Sequence, residues 1–282
     1  NVAGNVVNIC CNYVLITGIG SFAGWGVRGA AIGTVIGSLV TLGITLWIMG
    51  KNKYFAQGFL QLPDKSFWKE FKPIFSGIFS ELVAGRICLV IYGRITADLG
   101  TLAFAVHSIC YNISDFGFDF LFGFGKANMV LAGQACGRQN FEEWRKYRGL
   151  GLAWGMVIAT IFGLVIHLGW EQIFTLYNKD AAALDLSYSV MLIVAWHFYL
   201  TATTIVTGGI LRGSGKTTIV AAYSFFLITI LRPMMTAGAV YYLEWGILGV
   251  WLAICMDQIL RSCCFTYILY RIKELPKLAA EK

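Results

Sequence analysis

The sequence predicts an all-α polytopic membrane protein of about eight transmembrane helices. Two observations carry this prediction: a composition too apolar for a water-facing surface, and apolar runs of membrane-spanning length. Hydrophobic residues make up 57% of the 282, and charged residues only 13%. A water-soluble domain carries about a quarter charged residues, so lipid is the solvent this chain fits. The 32 glycines and 4 prolines suit helices that pack closely through small residues.

A helix needs roughly 20 residues to cross the hydrocarbon core. Apolar runs near 2–18, 27–49, 73–95, 101–133, 149–170, 186–209, 219–242 and 247–270 meet that length. The fourth is overlong, and Gly117, Gly123 and Gly125 are the places where it is expected to bend. Short alternating strands of the kind a membrane β-barrel needs are not seen.

The connections between spans alternate in charge. Fifteen basic residues fall in 50–72, 138–148, 211–218 and the tail, among them Lys51, Arg138, Arg212 and Arg271; the other connections hold only Arg94 and Lys179. Basic connections stay on the cytoplasmic side, which predicts a cell-membrane protein with both chain ends in the cytoplasm. The net charge of +7 follows from this bias. A nucleic-acid partner, which asks for one basic soluble face, is not expected. The eight cysteines include the adjacent pairs Cys10/Cys11 and Cys263/Cys264 but no C-x-x-C, and read as packing residues, with no metal site.

An internal repeat bears on domain organisation. Residues 25–29 and 245–249 both read W-G-x-x-G, 220 residues apart, each opening a span that runs inward. Repeats of six spans are expected from that offset, a common transporter plan. Residues 1–50 are then the last two helices of an N-terminal lobe and 51–72 a cytoplasmic linker, with Ser66–Phe71 either interfacial or a solvated loop. Residues 73–270 form a six-helix C-terminal lobe, and 271–282 a cytoplasmic tail. The chain opens on Asn1 inside an apolar run, and the rest of the N-terminal lobe is expected upstream in the same polypeptide.

Several stretches resemble the multidrug and toxic compound extrusion (MATE) transporters over essentially the whole chain. Residues 12–34, from N-Y-V-L-I-T-G to G-V-R-G-A-A-I-G-T, resemble the family's fifth and sixth helices. Residues 99–109, L-G-T-L-A-F-A-V-H-S-I, resemble the entry to its eighth, and residues 127–140 its Gly-Gln turn. Residues 210–218, I-L-R-G-S-G-K-T-T, resemble the loop after its tenth helix, and Arg232-Pro233 with Gly246–Trp251 its last two. The resemblance implies a cation-coupled antiporter, driven by protons or sodium, with two six-helix lobes and a central cavity. Its cargo would be amphipathic small molecules, often cationic. It also implies a coupling role for Glu81, eight residues after Pro73. A second coupling acid known in that branch is absent from span 186–209.

Ionisable groups inside the membrane cost roughly 2.5–3.5 kcal/mol each on insertion scales. Asp115 and Asp119 are four apart on one helical face, with Lys126 two turns on and Asn112 and Ser108 extending the stripe. They are read as a polar cavity wall for the coupling ion or cargo; the alternative is a stripe in which Lys126 pairs with Asp115 or Asp119. Glu81 is too far round the helix from Arg86 to pair with it, and so faces another partner or the cavity. Asp257 and Arg261, an i, i+4 pair, are read with Arg232 as a structural ion cluster. His107, His167 and His197 are isolated in apolar runs and read as packing residues.

The stretch Gly209–Thr218 imitates a phosphate-binding loop. The pattern G-x-x-x-x-G-K-[ST] needs glycine at Ile210, and a membrane span precedes it. ATP is therefore excluded, and no cofactor beyond the coupling ion is expected. Two other functions compete. A lipid-linked oligosaccharide flippase of the same superfamily asks for a more cationic cavity. A membrane-embedded transferase asks for clustered His and Asp in a connection, which the short connections here lack.

Overall fold

The computed structural model describes residues 2–19, 22–51 and 64–272. Among the described residues eight helices follow one another: α1 Val2–Thr17, α2 Val27–Lys51, α3 Lys65–Asp98, α4 Thr101–Gly137, α5 Phe141–Thr175, α6 Ala181–Gly213, α7 Thr217–Tyr242 and α8 Gly246–Tyr270. All but α1 and α4 are both long and apolar enough to cross a membrane. Helix α1 is apolar but only 16 residues long; α4 has the length but carries Asp115, Asp119 and Lys126. The linker residues 52–63 and tail residues 273–282 lie outside the described residues.

The chain divides into two compact units, residues 1–68 and 69–282. In the first, α1 and α2 form an antiparallel pair. The pair closes through glycines four apart: Gly29 lies against Leu15, Gly33 against Asn12, and Gly37 against Asn8 and Gly4. A two-stranded ribbon, β1 Gly18–Ile19 with β2 Phe22–Ala23, makes the turn. Small residues let backbones approach where apolar burial gives no drive in lipid.

The second unit is built around α6, which is packed by α4, α5 and α8. Gly209 sits on the backbone of Gly125 in α4, and Gly155 of α5 faces Val206. From α8, Phe265 covers Gly208, and the Gln258 carbonyl lies 3.3 Å from the Thr204 hydroxyl. The overlong fourth span is a single helix: α4 runs unbroken for 37 residues, about 55 Å along its path. Of its glycines, Gly117 and Gly125 seat Phe198 and Ile205 of α6, and Gly123 meets open space. Ser66–Phe71 forms the first turns of α3. His107 is buried among the rings of Tyr92, Tyr111 and Trp251.

The two W-G-x-x-G segments fold alike. Each tryptophan N–H bonds a carbonyl of the preceding helix, Trp25 to Leu15 and Trp245 to Ala239. Each following glycine takes a positive φ, +54° at Gly26 and +56° at Gly246. The last glycine of each, Gly29 or Gly249, packs on the preceding helix.

Helix α7 carries two π-helical turns, Leu227–Leu231 and Gly238–Tyr242, on either side of Pro233. Proline supplies no N–H to the helix ladder, and π turns take up such a break. Arg232 sits at the end of the first π turn, turned toward α8.

Candidate functional site

A cavity of about 300 Å³ opens within the second unit among α3, α4, α6, α7 and α8. Its apolar wall comes from Ile78, Leu82, Phe118, Phe122, Met129, Ile205 and Phe265. Its polar groups are Glu81, Lys126, Thr204, Arg212, Ser224, Gln258 and Arg261. Pockets that hold small molecules have this mix and begin at about this size. The side toward α3 and α4 is open, with Ile78, Leu82 and Phe122 exposed; the side formed by Ser224, Gln258 and Phe265 is buried.

One ion pair crosses the cavity. Arg212 Nη2 donates to both carboxylate oxygens of Glu81, at 2.6 and 2.7 Å. Both side chains are partly exposed. Behind the wall lies a second cluster. Asp257 is fully buried, and its Oδ2 accepts from Arg232 and from Arg261 Nη2, the latter at 2.8 Å. Arg261 lines the cavity and also stands within electrostatic reach of Glu81. Two arginines share one carboxylate there, which leaves an excess positive charge.

The structure brings Arg232, Asp257 and Arg261 together, and sets Glu81 and Lys126 on one cavity wall. It does not bring Asn112, Asp115 and Asp119 to that wall. All three lie on the exposed surface of α4, with Arg86 within electrostatic reach of Asp115. The cavity face of α4 is set by Phe118, Phe122, Gly125 and Met129, and Asp119 stands about 100° round the helix from Phe118. Nor does Lys126 pair with either aspartate: its ammonium lies 4.5 Å over the Phe122 ring, and no carboxylate is within ion-pair distance among the described residues. With Glu81 paired to Arg212, the side chains that line this cavity carry a net positive charge.

Arg212 is the residue that sequence reasoning misplaces. It counts there as a loop residue beyond span 186–209, but α6 continues to Gly213. Glycine-rich sequence read as a turn is helix because Gly208, Gly209 and Gly213 are needed for contact with Phe265, Gly125 and Met129. The signal that could have found Arg212 is the lone Glu81, an intramembrane acid without a partner on its own helix.

The sequence pattern of the MatE family matches residues 73–237, more than half of the chain and four of the five helices that frame the cavity. The chain belongs to the MatE family. Among curated relatives of this MatE chain, the probable multidrug resistance protein NorM of Thermotoga maritima is 26% identical over 261 residues, 92% of this chain and 56% of that protein. Human multidrug and toxin extrusion protein 1 is 23% identical, over 94% of this chain and 46% of its own length. The fold matches a multidrug resistance MATE family transporter of the MOP superfamily, solved in its outward-facing conformation, with a TM-score of 0.84 at 20% identity, covering 96% of this chain and 61% of that one. This MatE chain thus spans about half the length of the curated relatives it matches. It is a multi-pass helical membrane protein of a transporter family, which sets aside the transferase reading.

Proposed function

We propose that the chain is the C-terminal part of a cation-coupled antiporter that exports drugs or other amphipathic small molecules by alternating access. Residues 73–270 would be its six-helix C-terminal lobe, and residues 1–50 the last two helices of the lobe before it. The observation that carries this reading is the cavity of a transporter-family lobe with an ion pair across it. Glu81 is the coupling group. A proton or sodium ion that reaches Glu81 competes with Arg212 for the carboxylate, so the cavity has two charge arrangements. A ligand moves a conformational equilibrium only by binding one state better than the other, and two charge arrangements supply that difference. Phe118, Phe122 and Phe265 give the apolar body of a cargo its contact. Asp115 and Asp119, on the exposed face of α4, are a second proposed point of interaction with the coupling ion or cargo. The alternation of basic stretches supports a cell-membrane location with both ends of this chain cytoplasmic.

Dye efflux from vesicles carrying the intact transporter tests this. Collapsing both the proton and the sodium gradient is expected to stop efflux, as is Glu81→Gln with normal expression. Efflux indifferent to both gradients defeats the proposal.

A further inference from the structure

The charges of the cavity do not balance. Glu81 and Arg212 form a neutral pair. Asp257 shared between Arg232 and Arg261 leaves one positive charge, and Lys126, over the Phe122 ring and without an ion-pair partner among the described residues, adds another. The buried side of the cavity is also short of hydrogen bonds. Ser224 and Gln258 are more than nine-tenths buried. Ser224 Oγ, Gln258 Oε1 and Arg261 Nε are each without a hydrogen-bond partner among the described residues, and all three side chains line the cavity. Leaving a buried polar group unpaired costs about 1–3 kcal/mol, so such groups are rare without a reason. Arg261 Nε and the Ser224 hydroxyl are donors. The Gln258 amide presents its NH₂ in place of the oxygen after a half turn, an assignment made from the hydrogen-bond network.

We propose that this cavity receives the anionic end of an amphipathic ligand, a carboxylate, sulfonate or phosphate on an apolar body. Arg261, Ser224 and Gln258 hold the anion from the buried side, Lys126 supplies charge from the open side, and Phe118 and Phe265 cover the apolar part. Charge-assisted hydrogen bonds to an anion are about twice as strong as neutral ones. The proposal rests on the reading of this cavity as a ligand site and adds the sign of the ligand, opposite to the cationic cargo that the family resemblance implies.

The test uses one fluorophore with three charges: dansylglycine, its methyl ester, and dansylcadaverine, titrated against the full chain in phosphatidylcholine nanodiscs. Dansylglycine is expected to bind at least tenfold more tightly than the ester, and dansylcadaverine to bind weakest. Lys126→Glu, on an exposed side chain, is expected to weaken dansylglycine at least tenfold and leave the ester within twofold. Ser224→Ala is expected to weaken dansylglycine three- to tenfold. Phosphatidylglycerol added to the nanodisc separates two sources of the same chemistry: competition with dansylglycine identifies a lipid headgroup, and its absence a free amphiphile. Binding of ester or amine as tight as the acid, or indifference of the acid to both variants, overturns the sign and leaves the ligand site standing. No binding of any of the three overturns the site as well.

Discussion

Glu81 of α3 and Arg212 of α6 are 131 residues apart in sequence and share one ion pair, with Arg212 Nη2 within 2.7 Å of both carboxylate oxygens. Among the described residues no other carboxylate lines the cavity, so the pair joins two helices and neutralises the one acid at the site.

These two roles separate by mutation. Glu81→Gln and Arg212→Gln are each expected to lower the thermal unfolding midpoint. Their double-mutant cycle is expected to give a coupling of about 0.5–3 kcal/mol, the range for residues in direct contact. Transport is expected to fall at least tenfold in Glu81→Gln, beyond what the loss of stability explains. Additive stability effects would show that the pair is not formed.

Asp257 predicts a larger effect on stability. It is fully buried between two arginines, and removing one member of a buried ion cluster leaves uncompensated charge. Asp257→Ala is expected to cost about 3–5 kcal/mol, read as a lower unfolding midpoint in detergent. Replacing all three at once, Arg232→Met with Asp257→Leu and Arg261→Met, is expected to restore most of that loss, because no charge is then left buried.

How much of this was legible in the sequence depends on the range of the interaction. The membrane spans are written in local composition, and the i, i+4 spacing of Asp257 and Arg261 needs only helical geometry. The W-G-x-x-G segments are local as well, and their shared backbone follows from glycine at the second position. The cavity is different. Which face of α4 turns toward α6 is decided by glycines that seat partners far along the chain, Gly125 under Ile205 and Gly209 on Gly125. That rotation carries Asp115 and Asp119 away from the cavity and Phe118 toward it. The reach of Arg212 depends in the same way on α6 continuing through a glycine-rich stretch whose composition alone reads as a turn.

Those glycines give a matched pair of predictions. A side chain at Gly209 meets the Gly125 carbonyl oxygen at 2.5 Å, and backbone cannot give way as a flexible side chain can. Gly209→Val is expected to push α6 from α4 and cost about 1–3 kcal/mol, and to weaken ligand binding by distorting the wall between Ile205 and Arg212. Gly123, on the same helix α4, meets nothing within 4 Å. Gly123→Ala is expected to be neutral or to stabilise by up to about 1 kcal/mol through helix propensity. Equal effects at the two positions would remove the packing explanation for the unbroken α4.

The repeated W-G-x-x-G turn predicts a different kind of sensitivity. Gly26 and Gly246 have open space around them, so size is not what restricts them; their φ values of +54° and +56° are. A residue with a Cβ pays about 1–2 kcal/mol to hold that left-handed conformation. Gly246→Ala is therefore expected to lower stability by that amount although the new methyl group touches nothing. Gly246→Asn is expected to lose less, since asparagine enters this region more readily. Gly26→Ala and Gly26→Asn are expected to follow the same order at the start of α2. Thermal unfolding of the four variants measures this directly. If alanine and asparagine proved equal at both glycines, the cost would not lie in the backbone conformation the two segments share.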